Sequence, residues 1–167
     1  SLIAKLMAGV FKVGLRWGMD DFSRQIDFLE RHSTYARRWL SARPEWVDWL
    51  GIQGQKKVDL PGIRNLLGEC QVTPASNEQD EAERMANLRL ARQRLMLWVA
   101  FRDLNGLAGL DEVTHALSHF AELAVSTSIA FIREDLKSRF GLPWSNTTRS
   151  EMPLMVVGMG KLGGLEL

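Results

Sequence analysis

Apolar residues recur along most of this chain at three-, four- and seven-residue intervals, the spacing that gathers them on one face of a helix. Leu2, Leu6 and Val10, with Ile3 and Met7 beside them, predict an amphipathic helix at the start. Phe22, Ile26 and Leu29 predict a second, with Asp20 or Asp21 as N-cap. Ser33 is placed to cap Thr34–Ala42, whose apolar members are Tyr35, Trp39 and Leu40. Pro44 suits the first position of a further helix carrying Trp46, Val47, Trp49 and Leu50. Gly51–Asp59 reads as loop, and Pro61 starts a short helix through Leu67.

Val72–Asn77 reads as a linker. Beyond it Glu78, Asp80, Glu81 and Glu83 crowd the start of a long helix, where negative charge meets the positive end of the helix dipole. Met85, Leu88, Leu95 and Val99 mark its apolar face, and Asn105-Gly106 ends it. Asp111 is the expected N-cap of a second long helix through Val113, Leu117, Phe120, Ala124 and Phe131. Lys137 and Arg139 suit its last turn, Gly141 its C′ position, and Pro143 stops it. Two long helices joined by a short loop predict an antiparallel hairpin.

The periodicity changes only near the end. Ser145–Glu151 is polar, and Leu154–Val157 is a short apolar run with two valines, the pattern of a buried strand. Gly158, Gly160, Gly163 and Gly164 follow, and Leu165–Leu167 is placed to open a helix. The expected fold is mainly α: a helical bundle over 1–144, a linker at 145–151, and at 152–167 the start of a second domain. Leu154–Val157 has no second strand to pair with. Met152–Leu167 is therefore expected to be exposed, mobile or prone to associate while the helical part folds.

Composition narrows the function. The 167 residues are 46% hydrophobic, enough for a core, and the net charge of +1 argues against a generic nucleic-acid binder. A single cysteine, Cys70, excludes an internal disulfide and fits a reducing cytoplasm. No apolar run reaches membrane-spanning length, and Ser1–Trp17 lacks the layout of a signal peptide, although a surface anchor is an alternative to a docked helix there. The first residue is Ser1 rather than methionine, which points to a trimmed or processed chain.

Several clusters are candidates for chemistry. Trp39, Trp46 and Trp49 resemble a base-stacking platform, but helical spacing and the neighbouring Glu45 and Asp48 favour core packing. Arg84, Arg89, Arg92, Arg94 and Arg102 are either a phosphate-facing series or a solvated face. His115 and His119 have the spacing of a metal-binding pair, without a cysteine or third histidine to complete it, and read as surface histidines. The glycine-rich loop after an apolar run is a possible phosphate cradle, since glycine lets backbone N–H groups approach an anion and a helix N-terminus attracts it. Gly158-Met-Gly160-Lys-Leu-Gly163 also satisfies G-x-G-x-x-G, which makes a dinucleotide-binding enzyme an alternative.

The string Pro153-Leu-Met-Val-Val-Gly-Met-Gly-Lys-Leu-Gly-Gly-Leu-Glu-Leu167 resembles the opening of the nucleotidyltransferase domain in the bifunctional glutamine-synthetase adenylyltransferase and adenylyl-removing enzymes. Arg37–Trp46 and Phe101–Val113 are similar to the helical segments that precede it. The resemblance implies a polymerase-β-like catalytic sheet beginning at Leu154–Val157. It implies nucleotide phosphates at Gly163 and Gly164, with Gly160 and Lys161 beside them. It also implies Mg²⁺ held by an Asp-x-Asp pair that in the family follows this string, beyond Leu167. The spelling is similar to the adenylyl-removing half, in which phosphate attacks an adenylylated tyrosine of glutamine synthetase and ADP leaves. Partners implied are glutamine synthetase, the PII nitrogen-signalling protein, ATP or ADP and phosphate, in the cytoplasm, with neither nucleic acid nor membrane. Without the carboxylate pair, the 167 residues are expected to bind no metal and to be inactive alone. A helical interaction module without activity is the remaining alternative.

Overall fold

Ser33 and Asp59 accept hydrogen bonds from first-turn amides, Pro44 stands at a third helix start, and three of the described helices are followed within two residues by a glycine. The computed structural model describes residues 21–72 and 81–164. Helix α1 covers residues 21–32. Ser33 then accepts a hydrogen bond from the Ala36 amide at 3.1 Å and so caps α2, Thr34–Ala42. Pro44 occupies the N-cap of α3, Glu45–Gln53, rather than its first turn. Residues 51–53, expected in a loop, are the last of α3, and Gly54 ends it. Asp59 caps α4, Leu60–Glu69, through the Gly62 amide at 2.8 Å, with Pro61 in the first turn.

The two long helices are α5, Glu81–Leu104, and α6, Leu110–Phe140. Gly106 (φ +67°) and Gly141 (φ +79°) follow them in the left-handed conformation that a side chain would penalise. Asp111 lies inside α6 and not at its N-cap: the helix begins one residue earlier, so this carboxylate acts in the first turn. The N-terminal helix, Asp20, Glu78, Asp80, the linker beyond Val72 and the helix opening at Leu165 fall outside the described residues.

The chain forms two compact units. In the first, described over 21–57 and 96–109, Leu29, Leu50, Leu97, Trp98 and Phe101 are almost fully buried. Trp46 is buried and stacks on the half-buried Trp39 with ring centroids 5.6 Å apart, while Trp49 meets Trp98 edge-on. The tryptophan cluster is therefore packed as core. Gly54 has to be glycine here, because a Cβ would stand 2.5 Å from the Phe101 ring and 2.6 Å from the Leu50 carbonyl oxygen. Arg102 is buried and donates to the carbonyls of Gly54 (3.1 Å) and Leu107 (2.8 Å), which ties two loops to one helix. Trp98 donates its indole N–H to the Lys56 carbonyl at 3.1 Å.

The second unit is described over 58–72, 81–95 and 110–164. Its core includes Ile63, Leu66, Leu67, Leu95, Ala116 and Phe120, with α4 packed on α6. Glu112 accepts from the Val58 amide at 3.0 Å. Arg84 of α5 lies over the Phe131 ring of α6 at 3.7 Å. The start of α5 thus meets the far part of α6, as the expected antiparallel pairing requires. Arg94 pairs with Glu69 at 2.9 Å and reaches the Cys70 sulfur at 3.7 Å.

Past α6 the structure departs from the expected strand. The β-structure described is a small antiparallel hairpin, β1 (Trp144–Ser145) with β2 (Ser150–Glu151), from the last residue of the expected helical region across the expected linker. Its turn is closed by Ser145 accepting from the Thr148 amide, and Arg149 takes positive φ. Leu154–Val157 forms no strand and is exposed. A β-branched run becomes a strand only when a neighbour pairs its N–H and C=O groups, and among the described residues none lies alongside. The exposure matches the expectation for an unpaired segment.

Candidate functional site

The glycine loop is a compact turn at residues 160–164. Gly160 has φ +61°, and the Gly164 amide donates to its carbonyl at 3.0 Å. Gly163 packs so closely on the loop's entry that a Cβ there would stand 2.7 Å from the Gly158 carbonyl oxygen. These contacts explain the glycines in local terms: Gly160 needs its backbone angle and Gly163 its missing side chain.

The loop and the residues leading into it face α6 across an open cleft of about 910 Å³. Gly158, Leu162 and Gly163 line it on one side, and Ser126, Arg133 and Lys137 of α6 on the other. Of the residues singled out by sequence, Gly163 lines this cleft. Gly160, Lys161 and Gly164 belong to the same turn without lining it, and the Lys161 side chain is exposed.

Sequence reading missed Arg133. It is half-buried and donates to the Glu151 carboxylate, an ion pair joining α6 to β2. Its signal was the spacing of Glu122, Ser126, Ile129, Arg133 and Lys137, which recur every three or four residues on one face of α6. The arginine series of α5 divides differently from either reading. Arg84, Arg94 and Arg102 are engaged in structural contacts, and Arg89 and Arg92 are exposed.

Charge in the cleft is mixed, with Glu122, Glu134 and Glu151 among its walls. Mg²⁺ asks for several oxygen ligands in near-octahedral array. Among the described residues no group of three or more His, Cys, Asp or Glu side chains is placed to hold a metal ion. Glu151 is engaged by Arg133. These residues therefore do not fit the Mg²⁺ site that the resemblance implies. His115 and His119 stack at 6.1 Å with no such third ligand. Burial pushes the Cys70 thiol above its ordinary pKa, with Arg94 acting against that rise, so it is no activated nucleophile. Of the charged side chains in the cleft, Arg133 and Lys137 are the ones that could meet an oxyanion beside the glycine backbone, while Glu122, Glu134 and Glu151 oppose it.

No helix of the described residues is long and apolar enough to cross a membrane. No solved structure matches the chain. The bifunctional glutamine synthetase adenylyltransferase/adenylyl-removing enzyme of Ralstonia nicotianae is 37% identical over 142 residues, 85% of this chain and 15% of that protein. The enzyme of the same name from Aromatoleum aromaticum is 40% identical over 136 residues, 81% and 14% of the two chains. That of Thioalkalivibrio sulfidiphilus is 47% identical over 89 residues, 53% and 9%. The chain thus spans about one seventh of the length of the first two. The family model for glutamate-ammonia ligase adenylyltransferase matches residues 30–167, from the end of α1 through the glycine loop, and the chain belongs to that family.

Proposed function

We propose that the chain contributes to the adenylyl-removing half of a bifunctional enzyme acting on glutamine synthetase, and that its glycine loop borders the nucleotidyltransferase site. The observation carrying this reading is the loop itself, with Gly163 seated on Gly158, inside the span that matches the family. In the reaction proposed, an oxygen of inorganic phosphate attacks the phosphorus of the tyrosyl-AMP diester. The new P–O bond makes ADP, the bond to the tyrosine oxygen breaks, and that oxygen takes up a proton. Gly163 and Gly164, with Gly160 and Lys161 beside them, form the phosphate side of the site. The loop's part is to let phosphate oxygens come near backbone N–H groups, which positions the reactants.

Mg²⁺, when bound, would neutralise phosphate charge. Among the described residues no group of three or more His, Cys, Asp or Glu is placed to hold it, and lack of ADP release by the 167 residues alone belongs to the same proposal. ATP, the PII protein and a cytoplasmic setting belong to the same proposal.

The test is a graft. Residues 30–167 replace the matched segment of the Ralstonia relative, and both reactions are measured on the chimera. Gly163→Val is expected to lower phosphate-dependent ADP release from adenylylated glutamine synthetase by about a hundredfold, since a misplacement near 1 Å costs that much. ATP-dependent adenylylation by the same polypeptide should persist, which shows that the chimera folds. Loss of adenylylation with ADP release intact would overturn the assignment to the removing half.

A further inference from the structure

Arg133 lines the cleft, with Lys137 one turn further along α6. Gly158 and Gly163 line the same open space. Arg133 is held by Glu151, whose backbone belongs to β2 of the hairpin. The two side chains of that pair are more than a third exposed, so neither is locked in by packing. Lys137 is exposed and, among the described residues, forms no ion pair, unlike Arg139, which pairs with Asp135.

We propose that this cleft is an oxyanion subsite in which Arg133 and Lys137 form the cationic wall and Glu151 is a built-in competitor for Arg133. The inference rests on the reading of the glycine loop given above and extends it to side chains of α6. A guanidinium presents a planar fork that suits two oxygens of one carboxylate or one phosphate. The carboxylate of Glu151, which meets the guanidinium through one oxygen on Nη2, therefore occupies part of the place that a phosphate would take. Exchange is inexpensive, because a part-exposed ion pair is worth little in water. Lys137 adds a point charge that can follow the anion without a fixed geometry. The opposite wall supplies no side chain at Gly158 or Gly163, so an anion held by Arg133 can lie against the backbone there. Glu122 and Glu134 also line the cleft. Their charge opposes any anion and sets the affinity low, so that occupancy should follow the concentration of ligand and the salt.

The ligand chemistry is a tetrahedral phosphate group, either free phosphate or the terminal phosphate of a nucleoside diphosphate. Binding is measured on the 167-residue chain by amide and side-chain NMR shifts at low salt, with inorganic phosphate in one arm and ADP in the other. Phosphate or ADP is expected to move the Arg133 side-chain signal together with the Gly158 and Gly163 amides. A stronger response to phosphate than to ADP identifies the free ion as the occupant, and the reverse identifies the nucleotide. Arg133→Gln with Lys137→Gln should weaken binding by at least tenfold, the scale for losing hydrogen bonds to a charged group. Glu151→Gln should tighten it by several-fold, a change opposite in sign to any loss from misfolding. Shifts that ignore Arg133, or a Glu151→Gln variant that binds no better than the parent, would overturn the subsite. Binding with these signs, combined with a graft whose ADP release ignores Gly163, would leave the subsite standing and remove the enzymatic reading.

Discussion

The unit over residues 21–57 and 96–109 and the stretch from Phe140 to Met159 are both rich in large apolar side chains, and they treat them oppositely. In the unit, Trp98 is 1% exposed and Phe101 0%. In the stretch, Met155 is 79% exposed and Val157 71%. Hydrophobicity alone does not account for the contrast. A helix closes its own backbone hydrogen bonds and needs only a neighbour for one face, which α2, α3 and the end of α5 provide for each other. An extended segment leaves its backbone N–H and C=O groups without backbone partners until another strand arrives. Burial thus follows backbone satisfaction, and the same apolar residues stay outside where it is missing.

The contrast is sharpened most by Phe101→Ala. It should cost about 3–5 kcal/mol in urea unfolding, the usual range for an emptied aromatic site, and a loss below about 1 kcal/mol would show that this core is loosely packed. Arg102→Met comes next, at about 2–3 kcal/mol, because the carbonyls of Gly54 and Leu107 lose charged donors in a buried setting. An unchanged unfolding midpoint would mean that water replaces the guanidinium without loss.

A further effect is confined to alkaline solution. Burial raises the folded-state pKa of Cys70, so the folded chain holds that proton more tightly than the unfolded chain does. Stability from this group is complete below the ordinary thiol pKa of about 8.5 and is lost as pH rises through the higher folded value. Unfolding measured across that range should show a decline that Cys70→Ala removes. An identical slope in the variant would exclude the thiol as its source. The smallest change is expected for Val156→Ser, within about 0.5 kcal/mol, as for exposed sites generally. A loss comparable with Phe101→Ala would reveal that this segment is packed after all.

Much of the helical architecture was legible because its signals are local. Ser33, Gly106 and Gly141 mark helix ends through their own chemistry, within one turn of chain. The glycine loop was legible for the same reason, and Gly163 is explained by a contact only five residues away. What escaped depends on partners distant in sequence. Leu154–Val157 carries strand propensity, yet propensity does not say whether a neighbour is present. The pairing of Trp144 with Glu151 was hidden in a stretch whose polar composition reads as linker. Arg133 was visible as a residue of α6, but its tie to Glu151 follows from the hairpin and not from the helix.

The arrangement of tryptophans has an optical consequence. Trp39 and Trp46 lie nearly parallel, with 26° between their planes, close enough for their excited states to couple. Trp49 and Trp98 stand at 82°, and Trp98 is shielded from solvent. Trp144, in the hairpin that carries Glu151, is largely open to solvent and lies far in sequence from the others. Among the described tryptophans, circular dichroism in the aromatic region therefore reads the helical core, while a quencher dissolved in water reaches Trp144 of the hairpin first. These five side chains report on both regions at separate signals.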